Sequence, residues 1–113
     1  MDALLVDRLL RVGGVMVLDD AEWPSVRKAC RYLITNRGYR VLRCWAPQEE
    51  AERLPLVRKA ISAAARRSPG LSARLKPEWV VRDEDLGLTV GCRCVALAKT
   101  RNDDRLCFEH EPF

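Results

Sequence analysis

A short apolar run that ends in two carboxylates constrains this chain more than any other feature. The run is Gly13-Gly14-Val15-Met16-Val17-Leu18-Asp19-Asp20, in which four apolar residues lie between a glycine pair and an acid pair. Apolar residues without polar alternation are typical of a strand covered on both faces, as in the parallel sheets of α/β proteins. Because ligands of such sheets bind beyond the carboxyl ends of the strands, the sequence predicts that Asp19 and Asp20 face a binding crevice.

The spacing of apolar residues predicts a helix on each side of this strand. Leu5, Leu9 and Val12 share one face of the first helix, whereas Asp7 and Arg11 lie four residues apart on another. The second helix has a full amphipathic stripe at helical spacing. Its members are Val26, Ala29, Cys30, Leu33 and Ile34.

Two further strands and one more helical segment are predicted downstream. Tyr39 to Trp45 and Thr89 to Lys99 have the apolar character of strands, and 47–70 reads as an interrupted helix. The stretch 71–87 has no clear periodicity and is predicted to be a loop with at most one short helix. The tail from Thr100 is polar until Leu106, Phe108 and Phe113, so its end is expected to dock back on the body of the protein.

Composition limits the classes of protein to which the chain can belong. Its 113 residues suffice for one domain, 1–113, and no apolar run approaches the roughly 20 residues of a membrane span. The net charge of +4 comes from basic and acidic residues that are interleaved, which does not favour a nucleic-acid partner.

The cysteines indicate a reducing compartment. Neither they nor the single histidine has the spacing of a metal site. Five irregularly spaced cysteines do not form a disulfide framework, so reduced thiols and a cytoplasmic location are predicted. Cys92 and Cys94, only one residue apart, are typical of buried thiols rather than of a zinc site. His110 is expected to be a docking contact.

Two segments of the chain resemble class I S-adenosylmethionine-dependent methyltransferases. The segment from Leu9 to Asp20, followed by Trp23-Pro24-Ser25-Val26-Arg27-Lys28-Ala29, resembles their fifth strand and its flanking helices. The segment Cys92-Arg93-Cys94-Val95-Ala96-Leu97-Ala98-Lys99, with the tail Asp103-Asp104-Arg105 and His110-Glu111-Pro112-Phe113, is similar to the last strand and tail of bacterial members.

The resemblance implies an α/β fold with part of a Rossmann-like sheet and flanking helices. In the family the seven strands have the order 3-2-1-4-5-7-6, and the last strand is antiparallel. On that template Val15 to Leu18, Tyr39 to Trp45 and Thr89 to Lys99 are strands five, six and seven. The last of them is then expected to lie between the other two.

The resemblance also implies that the chain corresponds to the C-terminal half of such an enzyme. The family binds S-adenosylmethionine through a glycine-rich loop after the first strand and an acid after the second, and this sequence has neither. Gly13-Gly14 precedes a strand, whereas a cofactor loop must follow one. We therefore expect a methyltransferase part that carries the substrate side, with a small-molecule acceptor favoured, and that is inactive by itself.

Three residues after the first strand are the implied site. By resemblance Asp19 is the catalytic candidate, while Asp20 and Trp23 are candidates for contact with the acceptor. In catechol-type relatives the acid at this place helps to hold a divalent cation, so Asp19 and Asp20 are also candidate ligands for magnesium. The alternative is structural: Asp20 caps the next helix, Asp19 pairs with a basic neighbour and Trp23 packs against the body.

A non-catalytic module derived from a methyltransferase is the second hypothesis. A strand taken from the middle of a sheet leaves one edge unpaired, and an apolar edge at Val15 to Leu18 would pair with another chain. The partner would be a second copy or a separately encoded N-terminal half.

Overall fold

The computed structural model describes residues 2–46, 56–75, 81–103, 111 and 113. Helices and strands alternate in the first part of the chain, and one strand follows near the end. They are α1 (Ala3–Leu9), β1 (Val15–Leu18), α2 (Pro24–Asn36), β2 (Tyr39–Trp45), α3 (Leu56–Arg67), α4 (Pro69–Ser72), a 3-10 helix (Asp83–Leu86) and β3 (Cys94–Lys99).

The three strands form one open sheet in the order β1-β3-β2. Val15 lies opposite Ala98, Tyr39 lies opposite Lys99, and both pairings are antiparallel, so β1 and β2 run in the same direction. The prediction that the last strand lies between the other two and runs against them is confirmed. The described sheet has three strands, and its order differs from the seven-stranded order of the family that the sequence resembles. A Rossmann-like methyltransferase identity therefore remains a proposal.

The prediction that β1 is covered on both faces is wrong. Met16 is buried, but its neighbours Val15 and Val17 are exposed, so burial alternates along the strand. The strand lies at the edge of an antiparallel sheet, where one face packs on the core and the other meets solvent. Four apolar residues in sequence do not reveal this difference.

The core lies between α2 and one face of the sheet. From α2, Cys30 and Leu33 join a buried cluster with Met16, Val95 and Leu97 of the strands. The predicted stripe of α2 is confirmed, because a helix that packs on a sheet must bury one continuous apolar face.

The apolar face of α1 that the sequence indicates does not pack on the core. Leu5 is 63% exposed, Leu9 is 87% exposed, and Val12 beyond the helix is exposed as well. Ala3 and Asp7, one turn apart, are the residues that α1 buries. The helix therefore presents its apolar side to solvent and a carboxylate to the interior.

Asp7 is buried because three side chains from distant elements surround it. Its Oδ2 accepts a hydrogen bond from Arg37 Nε at 2.7 Å, and its Oδ1 accepts from Tyr39 Oη at 2.9 Å. Lys99 Nζ lies 3.1 Å from Oδ1 and donates to the Asp7 carbonyl at 2.6 Å. Burial alone would raise the pKa of Asp7, but the hydrogen bonds from Arg37, Tyr39 and Lys99 hold it below its ordinary value.

The later elements agree with the sequence in part. The predicted helix over 47–70 is confirmed from Leu56 to Arg67, with a break before α4, while 47–55 lies outside the described residues. The last strand begins at Cys94 rather than at Thr89, because the chain turns at Gly91 with a φ of 70°. Among the helices that the structure describes, none has the length and apolar content needed to cross a bilayer.

Candidate functional site: the acidic loop after β1

A tight turn directly follows β1 and carries the acid pair. Asp19 Oδ1 accepts a hydrogen bond from the Asp20 N–H at 3.0 Å, and the Asp20 carbonyl accepts from the Trp23 N–H at 2.9 Å. Asp20 has a φ of 54°, in the left-handed region that aspartate tolerates better than most residues. Both acids are exposed at the carboxyl end of the strand.

The turn is anchored to the sheet by the residue that follows the acids. Ala21 is fully buried, and its N–H donates to the Arg93 carbonyl at 2.6 Å, one residue before β3. Arg93 Nε also donates to Glu22 Oε2 at 3.1 Å, but both of these side chains are exposed, so the ion pair contributes little to stability. The backbone contact is therefore what fixes the loop relative to the central strand.

The structural alternative for these residues is wrong. The N-cap of α2 is Trp23, and no side chain caps the helix, so Asp20 does not have that role. Asp19 accepts from the amide of its neighbour and forms no ion pair with a basic side chain among the residues that the structure describes. Trp23 is exposed rather than packed. All three predicted site residues therefore have exposed side chains, and all three belong to the short segment 19–23.

The acid pair does not form a magnesium site by itself. Within the described residues there is no group of three or more histidine, cysteine or acidic side chains placed to hold a metal ion. Magnesium requires near-octahedral oxygen coordination, to which one or two carboxylates contribute only part. The metal role of Asp19 and Asp20 stays a prediction that needs ligands from outside these residues.

The arrangement is suited to orienting a polar molecule. Exposed carboxylates accept hydrogen bonds from hydroxyl or amine groups and can take up a proton that such a group loses. The exposed indole of Trp23, whose backbone N–H closes the same turn, offers a flat apolar surface. The turn thus carries both the polar and the apolar groups that a small ring-bearing molecule can use.

An apolar groove lies between α2, Leu4 of α1 and Phe113, and it does not include the acid pair. Its volume is about 440 Å³. The lining residues are Leu4, Ser25, Lys28, Ala29, Tyr32 and Phe113. Phe113 packs edge-on against Tyr32 with ring centroids 5.0 Å apart, which confirms that the end of the chain docks back on the body.

The described cysteines are buried or half-buried free thiols. Burial raises the pKa of Cys30 to about 11 and that of Cys92 to about 12. The Cys92 thiol donates to the Cys94 carbonyl at 3.1 Å. The prediction that Cys92 and Cys94 are buried thiols is confirmed for Cys92, whereas Cys94 is half-buried. That they do not bind zinc stays a prediction. Cys107 and His110 lie outside them.

Cys30 and Cys92 should therefore resist alkylation and make the fold sensitive to alkali. A thiol whose pKa is raised by folding contributes stability below its ordinary pKa of 9.0, and that stability is lost as pH rises toward 11 and 12. We expect iodoacetamide to label both residues only after unfolding, and the C30A/C92A variant to lose less stability between pH 9 and 11 than the parent. Rapid labelling of Cys92 in the native protein, measured by peptide mass spectrometry, would contradict this.

Comparison with protein-family models finds no match for the chain, and searches of the curated proteins and of the solved structures find no significant match.

Sequence reasoning missed the contacts that position the site. It placed Asp19 and Asp20 after a strand but gave no role to Ala21, Glu22 or Arg93. Ala21 and Arg93 are 72 residues apart and form a backbone contact, which leaves no pattern in side-chain composition. The one available signal was topological, because a central last strand brings its first residues close to the end of β1.

Proposed function

We propose that this chain is the acceptor-side part of an S-adenosylmethionine-dependent methyltransferase of the class I type, acting on a small molecule. One observation carries the proposal: an antiparallel last strand lies between two strands of common direction, and an exposed acid pair follows the first of them. This is the local arrangement implied by the resemblance of the two sequence segments. Free thiols are in keeping with a cytoplasmic setting, which is part of the proposal.

In this proposal each of the three loop residues has a different role. Methyl transfer from a sulfonium depends mainly on the alignment of the acceptor atom with the methyl carbon and the leaving sulfur. Asp19 accepts the proton that a hydroxyl or amine acceptor loses, and Asp20 holds a second polar group of the acceptor. Trp23 provides the apolar wall that sets the plane of the acceptor.

The described residues do not fit S-adenosylmethionine by themselves. The positive-φ glycines between elements are Gly13, Gly38, Gly87 and Gly91, and none belongs to a loop that leads from a strand into a helix. The cofactor must therefore be held by a further part of the enzyme, docked beside this chain.

The proposal predicts that cofactor binding needs more than this chain. In calorimetric titration the isolated chain should show no micromolar binding of S-adenosylmethionine. The chain extended by the coding sequence upstream of Met1, in this or a neighbouring frame, should bind it and transfer a methyl group to small phenol or amine acceptors. Micromolar binding by the isolated chain, or an upstream sequence without a strand and glycine-rich turn, would count against the proposal.

Variants of the acid loop test the roles of its residues in the extended protein. Asp19→Asn should lower the transfer rate by about a hundredfold with little change in cofactor affinity, because only proton acceptance is removed. Asp2→Asn is a suitable control, since Asp2 is an exposed acid at the start of α1. An unchanged rate for Asp19→Asn would remove this residue from the mechanism.

A second candidate function is a partner-binding module without catalysis. The exposed apolar edge at β1 favours it, and the two candidates differ in their readout. A module needs no cofactor in any assembly, so an extended protein that associates but never binds S-adenosylmethionine would favour this second function.

A further inference from the structure

Exposed apolar side chains are concentrated in one short part of the protein. Ten large apolar side chains are exposed within the described residues, and seven of them belong to residues 4–17. These seven are Leu4, Leu5, Val6, Leu9, Val12, Val15 and Val17. The seven do not form a single face. Val15 and Val17 project from the side of the sheet opposite to Met16, whereas Asp7 of α1 contacts Tyr39 and Lys99 on the Met16 side. The apolar residues next to the sheet edge are therefore those of β1.

The outer edge of β1 offers backbone groups as well. The Lys99 N–H donates to the Gly14 carbonyl at 2.9 Å, so in the antiparallel register every second residue after Gly14 faces β3. The backbone groups of Val15 and Val17 consequently face away from the sheet. No strand of the described chain pairs with this edge. An uncharged, unpaired edge readily accepts another strand.

The charges at the two ends of β1 favour one kind of partner. Arg8 and Arg11 are exposed before the strand, whereas Asp19 and Asp20 are exposed after it. A second copy that pairs antiparallel across a two-fold axis places its acidic end beside the basic end of the first copy, and the reverse. A parallel copy would instead bring like charges together, which is destabilising.

We propose that the free chain forms a two-fold homodimer in which the β1 edges of the two copies pair antiparallel. This inference goes beyond the proposed function. The cofactor-holding part of the enzyme would need the same edge, because β1 has no other unpaired side. Self-association and completion of the enzyme therefore exclude each other.

Sedimentation equilibrium of the isolated chain tests the dimer directly. We expect a concentration-dependent dimer and no higher species, since a two-fold interface closes on itself. Val17→Lys should weaken association by at least about tenfold, because it places an unpaired charge in the interface. Leu42→Lys is the matched control: Leu42 is an exposed apolar residue on β2, at the opposite edge of the sheet, and its substitution should leave association unchanged.

Reversing the charges tests the antiparallel arrangement. Arg11→Glu and Asp19→Lys should each weaken the dimer by about threefold to tenfold, since each places like charges near each other. The R11E/D19K double variant should restore it, because both ends of the strand are then reversed. Circular dichroism confirms that each variant is folded.

Three results would overturn the homodimer. They are a monomer at all concentrations, an open-ended series of oligomers, or a double variant whose dimer association is weaker than that of both single variants. A monomer whose β1 edge pairs only with a cofactor-holding part would point to that part as the sole occupant of the edge. No cofactor is present in these measurements. A negative result for the dimer therefore does not bear on the methyltransferase proposal, which the S-adenosylmethionine titration tests separately.

Discussion

Replacement of Asp7 by alanine is expected to lower the free energy of unfolding by about 3–5 kcal/mol. The Asp7 side chain is 1% exposed and lies against two cations, Arg37 and Lys99, and the Tyr39 hydroxyl. Removing the carboxylate leaves Lys99, itself buried, without the charge that balances it. The substitution also separates α1 from the ends of α2, β2 and β3, since this network is their common contact.

Urea unfolding of matched variants measures this effect. Asp2→Ala, an exposed acid in the same helix region, should change stability little. Tyr39→Phe removes a single hydrogen bond and should cost about 1 kcal/mol. If Asp7→Ala costs no more than Tyr39→Phe, the network does not hold α1 in place.

The acid limb of the stability curve provides an independent check on Asp7. Folding lowers the pKa of this carboxyl, so its contribution is present above the ordinary value of 3.8 and is lost as pH falls below it toward the pKa of the folded state. Asp7→Asn should therefore flatten the fall in stability below about pH 4. A variant that loses stability as steeply as the parent would contradict the lowered pKa.

Asp83→Ala is expected to lower the free energy of unfolding by about 2–3 kcal/mol. Asp83 Oδ1 accepts from Arg31 Nη1 at 2.6 Å, and Oδ2 accepts from Arg27 Nε at 3.1 Å. The Arg31 side chain is only 3% exposed, so it would lose the one carboxylate that balances its charge within the described part of the chain. The cost is smaller than for Asp7 because Asp83 is partly open to water.

The control for this prediction is a neighbour in the same 3-10 helix. Glu84 is exposed, and Glu84→Ala should leave the urea midpoint nearly unchanged. Hydrogen exchange should also show faster opening of the turn before β3 in Asp83→Ala. The guanidinium of Arg27 that Asp83 holds also donates to the Thr89 carbonyl at 2.6 Å, so this second contact should weaken as well. Equal midpoints for the two variants would mean that Asp83 does not join this segment to α2.

Local pattern predicted much of the architecture. The stripe of α2 is buried as its spacing requires, and β2 runs from Tyr39 to Trp45 as expected. The central place of the last strand was also predicted, through the family template. The position of Asp19 and Asp20 after a strand followed from the sequence as well, since an apolar run and the charges that end it are neighbours in the chain.

Only the tertiary structure decided which surfaces are covered. Leu5 and Leu9 form a good apolar face by sequence, yet α1 turns inward the side with Asp7, because Arg37, Tyr39 and Lys99 supply its hydrogen bonds from 30, 32 and 92 residues away. The sequence determined that the chain has strands, helices and an acidic turn, since periodicity is a local property. The faces that remain open depend on long-range contacts, and no local pattern encodes those.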